Sequence, residues 1–142
     1  MKVFFDTNVY VAEALLGETA EALVQATQRA NWRIVTNTHV LDEVRRVLAE
    51  YFGFPVRFAS LTRHRIGRRA DVVEPTTSRH IVPDDPRDNP ILQSALSAGC
   101  DYLVTNDRHL LALNPYEGLR IVSMTEYRDL LVLEGHLLSS AQ

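Results

Sequence analysis

Short apolar runs alternate along this chain with longer stretches in which apolar residues recur every three or four positions. Val3-Phe4-Phe5, ending at Asp6, has the length and composition of a buried strand. Asn8 is placed to cap a helix carrying Val9, Val11, Ala12, Leu15 and Leu16, with Gly17 as its stop. A second helix is expected from Thr19 to Ala30, with Ala22, Leu23 and Ala26 inward. Leu15, Leu16 and Leu23 are assigned to the core rather than to an interface. Arg33-Ile34-Val35-Thr36 reads as the next strand, and Thr36-Asn37-Thr38 supplies caps for a helix reaching Phe52. Gly53-Phe54-Pro55 breaks the chain before a helix from Val56 to Arg69. Val72-Val73 and Ile81-Val82 are short strand candidates.

Pro90 suits the first turn of a helix that buries Ile91, Leu92, Ala95 and Leu96 and ends at Gly99. Tyr102-Leu103-Val104-Thr105 is a strand, followed by a short helix with Leu110, Leu111 and Leu113. Leu119-Arg120-Ile121-Val122 and a helix from Met124 to Leu133 close the pattern. Strands alternating with helices at this spacing predict an α/β fold, a mostly parallel central sheet covered by helices on both faces. The chain has 142 residues, no internal repeat and no linker, so one domain over residues 1–142 is expected.

Composition narrows the chemistry. The N-terminal apolar run is too short and too soon charged for a signal peptide, and no run approaches a membrane span, so a cytoplasmic protein is the expectation. The lone Cys100 excludes an internal disulfide and a multi-cysteine zinc site. The net charge is −3, yet of 15 basic residues all but Lys2 are arginine. Arg63, Arg65, Arg68 and Arg69 crowd into one segment, where guanidinium forks could hold a phosphate backbone or simply coat a solvated helix face. Both readings stay open. A P-loop is missing, and Lys2 stands at the wrong end of its strand to serve a phosphoaspartyl centre.

Four scattered acids stand where a parallel sheet gathers a site, beyond the carboxyl ends of its strands: Asp6, Glu43, Asp88 and Asp107. Asp6 follows one strand at once, Asp107 comes two residues after another, and Asp88 begins the helix leading back across the sheet. On the helix holding Glu43, the apolar stripe is Val40, Leu41, Val44, Val47, Leu48 and Tyr51. Asp42 falls nearly opposite the stripe, whereas Glu43 lies about 95° from its centre, at a border that can reach a cleft. Each acid has a plainer role available. Asp6 could end a turn, Asp88 or Asn89 and Asp107 or Asn106 could cap helices, and Glu43 could pair with Arg46 at helical spacing. Convergence on one rim is what those roles do not require. His39 and His109 lack the His-x-x-x-His spacing that would support a zinc site.

These residues carry a resemblance. Phe5-Asp6-Thr7-Asn8-Val9, Leu41-Asp42-Glu43-Val44-Arg45-Arg46-Val47-Leu48, Asp85-Pro86-Arg87-Asp88-Asn89-Pro90-Ile91-Leu92 and Ala98-Gly99-Cys100-Asp101-Tyr102-Leu103-Val104-Thr105-Asn106-Asp107-Arg108-His109-Leu110-Leu111 resemble the blocks of the PIN-domain nucleases. The likeness is closest to the PIN-fold toxins of bacterial and archaeal toxin–antitoxin systems, whose VapC-type members are ribonucleases. It implies a PIN-like three-layer sandwich in which Asp6, Glu43, Asp88 and Asp107 form an acidic quartet. It further implies that Asn8 supports the first acid and that Thr105 is the small polar residue before the fourth. Asn106 stands where glycine is common and His109 where many relatives have another acid.

Carboxylate oxygens select hard cations, so Mg²⁺ or Mn²⁺ is the expected cofactor, with Asp6 and Asp88 at the core and Glu43 and Asp107 as further ligands. The resemblance implies single-stranded or loop RNA as substrate, cut to 5′-phosphate and 3′-hydroxyl ends. A cognate antitoxin protein and a homodimer are its implied partners. A PIN fold that binds RNA or protein without cutting, a DNA-directed nuclease and a housekeeping RNA-processing enzyme are the competing readings.

Overall fold

The computed structural model describes residues 1–75 and 89–138. The elements follow in the order β1 Lys2–Phe5, α1 Thr7–Ala14, α2 Glu18–Arg29, β2 Arg33–Asn37, α3 Thr38–Arg46, α4 Val56–Arg69 and β3 Asp71–Val73. After the undescribed stretch come α5 Asn89–Ser97, β4 Tyr102–Val104, α6 Arg108–Leu111, β5 Arg120–Val122 and α7 Met124–Leu133. All five strands pair in parallel in the order β3-β2-β1-β4-β5. Their near-continuous apolar runs are the mark of a sheet covered on both faces, and Val3, Phe4, Phe5, Leu103 and Val104 have no exposed surface. The α/β architecture expected from the sequence is therefore the one found. The candidate strand Ile81–Val82 lies outside the described residues, and no helix among those described is long and apolar enough to cross a membrane.

The strand order places the site. From β1 the chain moves outward through β2 to β3, then returns to lay β4 on the other side of β1. Connections leave the carboxyl ends of β1 and β4 in opposite directions, which opens a crevice between them. Asp6 and Thr105 stand at that point.

Three sequence expectations need correction. Asn8 does not cap the first helix: Asp6 does, its Oδ1 accepting from the Thr7 amide at 2.6 Å, while Asn8 is exposed inside the first turn. The strand therefore passes into the helix with no intervening loop. Tyr51 leaves the apolar stripe of its helix and is 80% exposed. After Arg46 the backbone widens into a π-helical turn, Val47–Tyr51, closed by the Phe52 amide on the Val47 carbonyl at 3.1 Å. The changed period carries Tyr51 off the face that Val40, Leu41, Val44 and Leu48 bury.

Leu15 and Leu16 likewise are not core. The helix ends sooner, and Leu16 is 84% exposed at φ 63°. Four helices end in the same Schellman geometry, with Leu16, Asn31, Gly99 and Gly135 at the left-handed position. At α1 the Gly17 amide reaches the Ala12 carbonyl at 2.9 Å and the Leu16 amide reaches Glu13 at 3.2 Å. A Cβ on Gly17 would sit 2.6 Å from the Ala12 oxygen, so glycine is required there by close approach. Leucine at the preceding left-handed position carries the Cβ clash that glycine and asparagine tolerate. Leu16→Gly is expected to stabilise the protein by roughly 1 kcal/mol, because it relieves that clash and gives up little buried surface. Gly17→Ala is expected to destabilise it. Urea unfolding of the two variants checks both signs.

Candidate functional site

Parallel register assembles a row of polar residues along the carboxyl rim of the sheet. Phe4 pairs with Val35 and Phe5 with Val104, so continuing each ladder sets Asp6 level with Asn37 on one side and Thr105 on the other. Val104 pairs with Val122, which brings Ser123 beside Thr105. Neighbouring strands lie about 4.8 Å apart, so these side chains are near neighbours despite their distance in sequence. Asn37, Asp6 and Ser123 are each the N-cap of the helix that follows their strand. Asp107 caps α6.

Asp6 is 4% exposed and fully engaged. Its Oδ1 takes the Thr7 amide at 2.6 Å and its Oδ2 takes the Thr105 hydroxyl at 2.7 Å. Thr105 Oγ1 in turn accepts the Asp107 amide at 3.0 Å, so one hydroxyl fixes both acids. Asp107 Oδ1 accepts the His109 amide at 2.8 Å. Burial pushes the Asp6 carboxyl above its ordinary range. The Thr105 and Thr7 hydrogen bonds pull against that, the Asp107 charge adds to it, and His39 opposes it. A partly desolvated carboxylate beside a second one is an electrostatic demand for a cation, and the donors are all oxygen. On that ground Asp6 and Asp107 fit a hard divalent ion.

The other predicted residues stand as follows. Glu43 is half-buried on α3, at the border expected from helical geometry, and its carboxylate holds Arg46 through Nε at 2.6 Å and Nη2 at 3.2 Å. Asp42 faces outward as expected and takes Arg63 Nε at 2.9 Å. Asp88 lies outside the described residues. Asn8 makes no side-chain hydrogen bond to Asp6 among the described residues, whereas Thr105 does. Among the described residues no three His, Cys, Asp or Glu side chains converge closely enough to hold a metal. Asn106 Oδ1 accepts the Met124 amide at 3.1 Å, tying the loop after β4 to the start of α7. His109 Nδ1 lies 3.9 Å from Asp107 Oδ1.

Of the basic cluster on α4, two members are bound within the fold. Arg69 forms a two-pronged pair with Glu13 of α1, at 2.9 and 2.7 Å, and Arg63 holds Asp42. Arg65 and Arg68 are exposed and pair with no carboxylate among the described residues. The sequence could not sort these four, because their partners come from α1 and α3.

The raised Asp6 pKa has a stability consequence. The ionised carboxylate opposes folding, a cost that is missing at acid pH and grows as pH rises past the unfolded carboxylate's value of 3.8. Asp6→Asn keeps an oxygen for the Thr7 amide, and the Thr105 hydroxyl can accept from the new amide. In EDTA at pH 7 this variant is expected to melt above wild type, the advantage shrinking as pH falls towards about 4. Scanning calorimetry across that range tests it; a variant less stable at pH 7 than at pH 4, relative to wild type, would contradict the sign.

Comparison with known proteins bears on the fold and the family. No curated protein matches the sequence. Among solved structures, the chain is similar to one in the VapBC2 complex from Rickettsia felis, determined bound to a DNA fragment from their promoter. The TM-score is 0.65 at 13% identity, covering 87% of this chain and 98% of that one, a likeness of fold. A PIN-domain family model matches residues 2–109, which takes in β1 through the start of α6, and with it Asp6, Glu43, Asp88 and Asp107. The chain belongs to the PIN-domain family.

Proposed function

We propose that this protein is a divalent-metal-dependent endoribonuclease acting as the toxin of a toxin–antitoxin pair. The observation that carries the reading is the buried Asp6 carboxylate, held at the β1/β4 switch point by the Thr105 hydroxyl that also fixes Asp107. Membership of the PIN-domain family and the likeness to a toxin–antitoxin complex support it.

Asp6 and Asp107 would hold the ion, with Glu43 and Asp88 completing the oxygen set. A bound Mg²⁺ or Mn²⁺ would supply activation of water and neutralisation of charge at the scissile phosphate. The chain's own part is to keep the oxygens in place. Thr105 and the Thr7 amide fix both Asp6 oxygens, so its carboxylate plane cannot swing. Asp107 Oδ1 is fixed by the His109 amide, while its Oδ2 accepts no hydrogen bond among the described residues. Glu43 must exchange Arg46 for the ion, an exposed pairing of small worth. Arg65 and Arg68, exposed and without a carboxylate partner among the described residues, are the members of the α4 cluster that would meet a phosphate backbone.

RNA is proposed over DNA on the toxin likeness, and a small antitoxin protein is the proposed partner. The experiment is cleavage of single-stranded and hairpin RNA, with matched DNA, in Mg²⁺ or Mn²⁺. Asp6→Asn and Asp107→Asn are each expected to lose at least about 100-fold in kcat, and EDTA to abolish cutting. Activity that survives EDTA, or is unchanged in Asp6→Asn, would refute the metal reading. Preferential cutting of DNA would refute the substrate.

A second outcome follows from the arginines. Arg65→Ala and Arg68→Ala are expected to raise KM for RNA by roughly 3- to 10-fold with kcat little changed, the effect shrinking at high salt. Arg69→Ala is expected instead to lower the melting temperature, through loss of the Glu13 pair.

A further inference from the structure

Asn37 stands next to Asp6 on the rim, and its side chain does more than a helix cap requires. Its Oδ1 accepts the Val40 amide at 2.8 Å, which closes the first turn of α3. A serine or threonine would serve that purpose equally. The carboxamide nitrogen has two further donations, to the Pro90 carbonyl at 3.1 Å and to Ser94 Oγ at 2.8 Å. Both acceptors lie on α5, and Asn37 has no exposed surface. Every polar atom of this buried group is therefore used, as its desolvation demands. No other residue type of its size supplies one acceptor and two donors in this geometry.

The consequence lies in what these contacts join. Asn37 ends β2, level with Asp6 on the adjacent strand, and starts α3, the helix that carries Glu43. Its amide draws the first turn of α5 onto the same rim, and α5 begins at the residue after Asp88. Without the two donations, the start of α5 would rest more on the apolar packing of the buried Ile91 and Leu92, which resists separation but does not fix rotation or height.

We propose that Asn37 is a positioning residue for the acidic site: its carboxamide sets where the first turn of α5 stands against the rim beside Asp6. This rests on the reading of the rim as a metal centre. Asn37→Ser keeps a cap oxygen for the Val40 amide and removes both donations to α5. Ser94→Ala removes one acceptor and leaves the cap untouched. Mn²⁺ binding to each purified variant is measured by electron paramagnetic resonance of the free ion, beside thermal melting in EDTA and RNA cleavage at saturating and limiting Mn²⁺.

Asn37→Ser is expected to weaken Mn²⁺ binding about 10-fold, the size of loss seen when a ligand's hydrogen-bonded support is removed. KM for RNA should stay near wild type, with kcat restored in part by excess Mn²⁺. Ser94→Ala should shift Mn²⁺ binding the same way by less, and the double variant should lose no more than Asn37→Ser alone, since both cut the same link. Folded Asn37→Ser with wild-type Mn²⁺ affinity would overturn the proposal. Should Asn37→Ser not fold, wild-type Mn²⁺ affinity in Ser94→Ala overturns it instead. A wild-type protein that binds no Mn²⁺ defeats the nuclease reading and this inference together. One that binds Mn²⁺ but cuts no RNA defeats only the substrate, and the binding comparison still decides on Asn37.

Discussion

One hydroxyl holds the centre of this molecule together. Thr105 donates to the buried Asp6 carboxylate and accepts from the Asp107 amide, so β1, β4 and the turn into α6 meet at a single oxygen. Asp6 has almost no access to water, and the hydrogen bonds it accepts are what make its burial tolerable. Burial and the nearby Asp107 charge still raise its proton affinity. The fold thus keeps a carboxylate in a place it does not favour, a kind of stress that proteins retain where a cation or a reaction relieves it.

On this rim capping would be compatible with the proposed ligation. Asp6 and Asp107 each use an oxygen to satisfy a helix amide, the plain role that its position suggested for Asp107, whereas Asp6 was expected to end a turn. A carboxylate has lone pairs beyond the one a cap consumes. Capping fixes the side chain's rotamer, so the remaining lone pairs point in a set direction. Helix N-termini at the same rim also add a favourable field for the clustered negative charge.

Charge elsewhere is spent on joining helices. Arg69 is withdrawn from α4's basic row by Glu13, and Arg63 by Asp42. Arg46 pairs with Glu43 at the helical spacing that the sequence allowed, and with Glu50 one turn on. The exposed Leu16, held in a left-handed conformation that three other helix ends give to Asn or Gly, has no packing that accounts for it.

The order of elements, the parallel sheet and the rim positions of Asp6 and Asp107 were legible in the chain. Strand-length apolar runs and turn residues report on local backbone preference, and parallel topology then leaves little freedom about which edge collects the strand ends. The Glu43 border position was legible for the same reason, since helical period is a local property. What only the tertiary structure decided is everything that depends on partners from other elements. Asn37 looked like a cap, and its hold on α5 emerges only when β2 and α5 are packed side by side. The four arginines looked alike until α1 and α3 supplied carboxylates to two of them. Leu16 and Tyr51 fitted their apolar patterns and were turned outward, one by an early helix end and the other by a single π turn. Sequence period fixes the direction of a side chain only while the backbone keeps that period, and hydrogen-bond partners are chosen by packing.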